Sequence, residues 1–597
     1  MHHITFCFEN GTSVCHSAND GETLLKTAQR VGIFIDAPCS GSGVCGKCKV
    51  KILSGQVTSE GKDGWHLACK TEPLSDVVLF VPEAQKIHTA EAKLIALAPD
   101  HGFEEISVCL AEPTLDDTMP DNERLSAALD GSAEFTYHAL KKLPQILREE
   151  NFSVKIWGKR KHDRFIVYDL APEGLQIPMC ALAVDIGTTT VCAMLTDLRT
   201  GKILAKATRG NAQVRFGADV ISRIIEQTRP QGTERLQSAI IDETLVPLVE
   251  TLCKNVKISK TRIFRITIAA NTTMNHLLLG LFSDPIRTEP YIPSFFRLNP
   301  LRAEDLHLPT HPDAEVLFAP NIGSYVGGDI TSGVFASELW KNESLSLFVD
   351  LGTNGEIVLG NREFSIACAC SAGPAFEGGD ISCGMRATDG AIDRCSIDKE
   401  TMEPTFSVLG GTDPIGICGS GLIDTVAALF SCGIINAKGD FVREGRRILR
   451  DAHGMGRYVL DFENNIYLDR VDIDNFIRAK AAVYSAIDTL LTAMDMDESA
   501  LETVYVAGGI GSSINLDNAV RLGMLPDLPR EAFKYIGNSA LTGAYAMAIS
   551  DEAAEKIDSL SREMTYMELS SHPGYMDSFV AACFLPHTDA GRFGGAR

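Results

Sequence analysis

Cys39, Cys45 and Cys48 stand in one short loop, spaced C-x5-C-x2-C, and Cys69 follows after twenty more residues. Four thiolates can bind one zinc ion or an iron–sulfur cluster. A zinc ribbon pairs two CxxC knuckles, whereas here there is a single CxxC, and the remaining ligands come from a longer loop and a distant segment. The pattern is close to plant-type [2Fe–2S] spacing, with five intervening residues in place of four. Gly41, Gly43 and Gly46 would let the loop backbone approach bridging sulfides and donate N–H groups to them.

A second chemistry is written further along the chain. The apolar run ALAVDIGTTTVCAML ends in an acid, Asp185, followed by Gly187, Thr188, Thr189 and Thr190. Such a strand–turn–strand offers backbone N–H groups to phosphate oxygens, while the strand-end carboxylate can organise Mg²⁺ and water. LSLFVDLGTNGEIVLG repeats the pattern 165 residues later with Asp350, Gly352, Thr353, Asn354, Gly355 and Glu356. Two copies predict two similar lobes with a nucleotide between them. VYVAGGIGSSI, residues 504–514, runs a buried strand into Gly508, Gly509 and Gly511, a backbone flat enough for an adenosine to lie against. By residue type alone Asp329, an acid beside the glycine pair of GGDITSGVFA, reads as a helix cap.

These residues need elements to hold them. ITFCFENGTSVCH reads as a β-hairpin about Asn10-Gly11, and a short helix follows, capped by Asp20, carrying Leu24, Leu25 and Ala28 inward and stopping at Gly32. TAEAKLIALAP suggests a connecting helix, and the Pro-rich, acidic AEPTLDDTMPDNE an exposed linker. The expected division is 1–90, the cysteine-loop domain; 91–122, linker; 123–180, a small α/β middle domain; and 181–597, the two-lobed nucleotide-binding body. Lys159 to His162, KRKH, reads as a solvated turn.

Length, at 597 residues, calls for several cores, and 45% hydrophobic with 22% charged residues is a globular composition. The formal charge of −23 argues against a nucleic-acid partner. With no basic start followed by an apolar run, and no apolar stretch of ~18 residues, a cytoplasmic protein without membrane association is expected. Seventeen cysteines would there stay reduced. Cys368, Cys370, Cys383 and Cys395 match no defensible metal spacing, Cys418 and Cys432 read as core residues of a helix, and His276 as a structural histidine.

The residues 3–83 resemble the [2Fe–2S] ferredoxin-like domain, and the two DxGT loops with the glycine-rich strand resemble the phosphate and adenosine motifs of the acetate and sugar kinase, Hsp70 and actin (ASKHA) superfamily. In that likeness GGDITSGVFA stands at a first connecting helix, which makes Asp329 a candidate for water activation or Mg²⁺ organisation, and ICGSGLIDTVAALF, from 417, at a second. With AANTTMNHLLLG, SAGPAFEGGDISCGMRATDGAI and SHPGYMDSFVAACFLPH, nearly the whole chain resembles the reductive activators of corrinoid proteins. The resemblance implies a multidomain α+β and α/β fold: a β-grasp ferredoxin-like domain, the small middle domain and a two-lobed, actin-like ATPase. It implies a [2Fe–2S] cluster on Cys39, Cys45, Cys48 and Cys69, and ATP with Mg²⁺. It also implies a corrinoid methyl-transfer protein as partner, a separate electron donor, and a homodimer. The rival expectations are an activator of the 2-hydroxyacyl-CoA dehydratase or benzoyl-CoA reductase type, a small-molecule kinase, and an ATP-switched redox-sensing chaperone.

Overall fold

Ile4 and Phe6, Val50, and Val77, Leu79 and Val81 are buried with exposed or half-exposed residues between them, the alternation of strands with one covered face. The computed structural model describes residues 2–8, 12–31, 33, 35, 48–61, 63–82, 90–129, 133–161, 163–352, 354–511 and 514–596. Its first strands are β1 (His2–Phe8), β2 (Ser13–Ala18), β3 (Lys49–Ser54), β4 (Trp65–Leu67) and β5 (Val77–Val81), in the order β2-β1-β5-β3-β4. β1 and β5 are parallel, and the β1–β2 hairpin is antiparallel from His2↔Ala18 to Cys7↔Ser13. The Asn10-Gly11 turn, like Gly32, lies outside the described residues. Leu24, Leu25 and Ala28 of the helix Leu24–Arg30 fill the inner face, completing a β-grasp domain. The cap is Thr23 and not Asp20: Thr23 Oγ1 accepts from Lys26 N at 3.3 Å, while Glu22 reaches back to Asn19 N at 2.8 Å, so the helix starts later than expected.

The stretch expected to be a connecting helix is instead an extended strap. Ala92 bridges to Gly537 and Asp100 to Ser550, and Ile95 and Leu97, two residues apart, pack against the body. Helical propensity yields here to pairing with a sheet edge. The expected linker also contributes β6 (Phe103–Cys109), which with β7 (Ala133–Phe135), β8 (Ser153–Lys161) and β9 (Arg164–Pro172) forms a sheet ordered β6-β8-β9-β7. Only the acidic segment beyond β6 is exposed loop. Lys159, expected in a solvated turn, is buried at the end of β8, where it pairs with Glu315 at 2.8 Å and joins this domain to the body.

The body repeats one topology. β10 (Cys180–Ile186), β11 (Thr190–Asp197), β12 (Ile203–Gly210), β13 (Ile263–Ala270), β14 (Leu301–Arg302) and β15 (Glu315–Phe318) lie in the order β12-β11-β10-β13-β15-β14. The second lobe opens with β16 (Ser346–Leu351), β17 (Gly355–Gly360) and β18 (Ser365–Cys370). Two three-stranded satellites follow, β19 (Ala391–Ile397), β20 (Pro404–Val408) and β21 (Gly416–Ile417), then β22 (Ile448–Arg450), β23 (Gly456–Asp461) and β24 (Ile466–Asp469). β25 (Thr503–Ala507), β26 (Phe533–Gly537) and β27 (Met564–Tyr566) complete a sheet ordered β26-β25-β16-β17-β18-β27. In each lobe three antiparallel strands meet a fourth that runs parallel to the first.

The helices Gly328–Ser337 and Ser539–Ile549 cross between the sheets at small residues: a Cβ on Gly543 would lie 2.4 Å from Ser332 Cβ. The second connecting helix is therefore Ser539–Ile549. The helix Gly419–Ser431, expected in that role, packs inside the second lobe on β19; the close backbone approach of Gly421 to Ile392 O, 2.1 Å from where a Cβ would stand, fixes it there.

Candidate functional site

The strand repeat puts its two acids at equivalent places. Asp185 near the end of β10 is flanked by Cys192 on β11 and Ala269 on β13; Asp350 on β16 is flanked by Glu356 on β17 and Ala507 on β25. The chain turns after each: Gly187 N donates to Thr190 O at 3.0 Å, and Gly352 N to Asn354 O at 3.1 Å, one residue tighter. Thr353 lies outside the described residues. Both loops open on one cleft of about 210 Å³, which Gly187, Thr188, Thr189, Gly352, Asn354, Gly508, Gly509 and Asp329 also line. Gly508 has φ +90°, and a Cβ there would stand 2.5 Å from Leu351 O and 2.6 Å from Asp350 Oδ1, so only glycine lets the strand end pack against that acid. Gly509 faces open space.

Asp329 is in the first turn of the helix Gly328–Ser337 but is not its cap, which is Gly327. Its Oδ1 accepts from the next backbone N–H, Ile330 N, at 2.9 Å, and its carboxylate shares the cleft with the other two. Desolvation and then the charges of Asp350 and Asp185 push Asp329 up to about 8. Burial, with Asp185 and Glu377 nearby, raises Asp350 to about 7. Burial raises Asp185 to about 6, opposed by a hydrogen bond from Asn538 Nδ2 to its Oδ2 at 2.8 Å. Three clustered aspartates that resist ionisation are a donor set suited to a hard divalent cation with oxygen ligands.

Glu356, Glu377, Asn538 and Arg386 also stand on the cleft wall. Glu356 is buried opposite Asp350 in the β16–β17 register and is pushed well up by burial and by Asp329 and Asp350. Its sequence signals are its place at the end of the repeated motif and a carboxylate in the otherwise apolar strand GEIVLG. Glu377, from the second lobe, accepts from Thr189 Oγ1 of the first at 2.5 Å, and Asn538 makes the Asp185 bond from the second lobe as well. Thr188 is buried, bonded by Asn271 Nδ2 to its Oγ1 at 3.2 Å and by the buried Arg223 to its carbonyl at 2.5 Å, so the Gly187–Thr190 turn is held from behind.

Of the cluster cysteines, Cys48 and Cys69 are described, and Cys39 and Cys45 lie outside the described residues. Cys48 leads into β3, Cys69 sits in the single turn Ala68–Lys70, and Cys69 N lies 3.4 Å from Cys48 Sγ. An N–H aimed at a ligand sulfur is what a thiolate-held cluster needs, so the described half of the set fits.

The remaining readings resolve into packing. His276 is buried, with Nδ1 bonded to Thr272 O at 2.7 Å, Nε2 accepting from Ser294 N at 2.9 Å, and its ring stacked on Phe295. Cys368 and Cys370 are buried on β18 with thiols pushed up by desolvation, Cys370 to about 12. Cys383 and Cys395 stand apart, bonded to Asn465 O and Ser396 O. Cys418 and Cys432 are buried at the two ends of the helix Gly419–Ser431, with Cys418 on the cleft wall.

A β-grasp domain with adjacent cysteines, carried by two lobes whose first strands end in matched acids, defines a ferredoxin-like domain fused to an ASKHA-type ATPase. Family profiles agree: a 2Fe-2S iron-sulfur cluster binding domain over 7–74, the RACo linker region over 91–174, the RACo middle region over 180–342, and the C-terminal ASKHA domain of RACo over 344–596. The corrinoid activation enzyme RamQ of Eubacterium limosum is 30% identical over 579 residues, 92% of this chain and 94% of that one. The [Co(II) methylated amine-specific corrinoid protein] reductase of Methanosarcina barkeri is 25% identical over 42% of this chain and 48% of its own. Among solved structures, a reductive activator for corrinoid, iron-sulfur protein superposes with a TM-score of 0.76 at 38% identity, covering 100% of both chains. The chain belongs to the family of corrinoid activation enzymes. No helix among the described residues is long and apolar enough to cross a membrane.

Proposed function

We propose that this protein is an ATP-dependent reductive activator that passes one electron to the inactive Co(II) corrinoid of a partner methyl-transfer protein and so restores Co(I). The observation that carries this reading is the union in one chain of the Cys48–Cys69 pair and the cleft in which Asp185 and Asp350 end equivalent strands. Cys39, Cys45, Cys48 and Cys69 would hold a [2Fe–2S] cluster, and Asp185 and Asp350, with Asp329, would organise Mg²⁺; when bound, the cluster supplies one-electron transfer and the ion polarises and screens the phosphates. Such a centre lies near ~−400 mV, and each further ~59 mV uphill costs tenfold in a one-electron equilibrium. Nucleotide turnover is the available source of that drive.

The protein's own residues perform the coupling. The turns at Gly187–Thr189 and Gly352–Asn354 offer N–H and hydroxyl donors to phosphate oxygens, and Gly508 and Gly509 leave a flat wall for the adenosine. A phosphate oxygen that takes the Thr189 hydroxyl competes with Glu377, so nucleotide loading exchanges a bond between lobes for one to ligand and shifts lobe closure. A separate reductant reloads the cysteine site, and the body pairs as a homodimer. The test is an anaerobic optical titration of a Co(II) corrinoid protein with this protein, reductant and ATP. Co(I) should form with ATP and fall to background without it; equal Co(I) in both arms overturns the coupling.

A further inference from the structure

The cleft is lined by Asp185, Asp329, Asp350, Glu356 and Glu377, and among its described lining residues the one lysine or arginine is Arg386. A nucleoside triphosphate brings three to four negative charges into that company. A divalent ion offsets two, and phosphoryl transfer then develops charge on the terminal phosphate oxygens, where a guanidinium with its planar fork of donors is the best-matched side chain.

Arg386 is held as a residue with such a task would be. Its chain neighbour Met385 donates from N to Ile417 O at 2.8 Å, and Ser382 N donates to Asp472 Oδ1 at 2.7 Å. A Cβ on Gly378 would lie 2.2 Å from Met385 N, and one on Gly416 2.8 Å from Met385 Sδ, so the loop is clasped from both sides. Thr388 N binds the Arg386 carbonyl at 2.8 Å. The backbone is therefore fixed, yet the half-buried guanidinium has no hydrogen-bond or ion-pair partner among the described residues. The charges it shares surroundings with are Glu377, already bonded to Thr189, and Arg223, which is turned to the Thr188 carbonyl. A pinned base with an uncommitted cationic tip, in a cleft otherwise acidic, is preorganised for an anion. It also accounts for SAGPAFEGGDISCGMRATDGAI, the long segment of residues 371–392 to which the phosphate loops assign nothing.

We infer that Arg386 is a catalytic residue that grips the terminal phosphate of ATP and stabilises the charge formed as it transfers to water. In that step water oxygen bonds the γ-phosphorus, the bond to the β–γ bridging oxygen breaks, ADP leaves with that oxygen, and the water proton is released to phosphate and solvent. The inference rests on the ATPase reading and deepens it.

The test uses the full chain and steady-state ATP hydrolysis. Arg386→Ala should lower kcat by about 10²- to 10³-fold, with a smaller change in KM. Arg386→Lys, which keeps the charge but loses the fork, should fall between, and added guanidinium ion should restore part of the Ala variant's rate while leaving the native protein's unimproved. Mg·ADP should bind native and Ala proteins alike, whereas ADP with beryllium fluoride, a mimic of the γ-phosphate, should bind the native protein at least ~10-fold more tightly. An Ala variant that hydrolyses ATP at the native rate, or one that loses Mg·ADP and fluoride-mimic binding equally, overturns the role of Arg386. A native protein that hydrolyses no ATP overturns the ATPase reading itself.

Discussion

Burial, joined at Asp350 and Asp329 by neighbouring carboxylates, pushes Asp185, Asp350 and Asp329 up to about 6, 7 and 8, against an ordinary aspartate value near 4. Folded pKa values above unfolded ones mean that the native state binds more protons than the unfolded state between roughly pH 4 and 8. Protein without a bound cation therefore loses stability as pH rises through that window, while a cation on the carboxylates displaces protons and recovers the loss. Affinity for Mg·ADP should rise about tenfold or more from pH 6 to pH 8, with proton release visible by calorimetry in buffers of different ionisation heat. The gain in Tm on adding Mg·ADP should likewise be larger at pH 8; a gain that is flat with pH would remove these carboxylates from the cation site. Asp185 should show the effect least, because Asn538 already supports its charged form.

Among the elements, the crossing of Gly328–Ser337 with Ser539–Ile549 sets how closely the lobes approach. Gly543→Ala places a methyl 2.4 Å from Ser332 Cβ and 2.6 Å from Ser332 O, and overpacking of that kind costs about 1–3 kcal/mol. The denaturation midpoint should fall accordingly, with the slope against denaturant unchanged. The duplicated strand–acid–turn unit was legible because apolar strands ending in Asp-x-Gly recur 165 residues apart, and the iron–sulfur domain because its cysteine spacing is local. The connecting helix was misplaced because both candidates are small-residue helices, and only the Gly543–Ser332 approach tells which one crosses. The strap was misread because AEAKLIALA has helical propensity that tertiary pairing overrides. Glu377, Asn538 and Arg386 carry no local pattern, since they meet Thr189, Asp185 and the cleft only when chain segments more than 150 residues apart are brought together. Asp20 lost the cap to Thr23 by the ordinary uncertainty of a helix start.

For the molecule as a whole, electron delivery and nucleotide turnover reside in separate folded units with separate cores. Cys48→Ser should therefore abolish Co(I) formation and change the visible spectrum of the cysteine-held centre, with Cys45→Ser behaving alike, while Mg·ADP affinity stays within about twofold of native. Loss of nucleotide binding in these variants would show that the units are not independent. A different consequence follows from the strap. β26 closes one end of its sheet, and the strap lies along it, with Glu91 O accepting from Asn538 N at 3.3 Å and Lys93 Nζ reaching Tyr535 O. Stripped of that cover, the strand would present bare backbone donors and acceptors, an invitation to self-association. A chain shortened to residues 101–597 should elute from a sizing column as a concentration-dependent aggregate. One shortened to 90–597 should stay monodisperse, so the solubility of the ATPase body depends on eleven residues that belong, by sequence, to the way out of its neighbour.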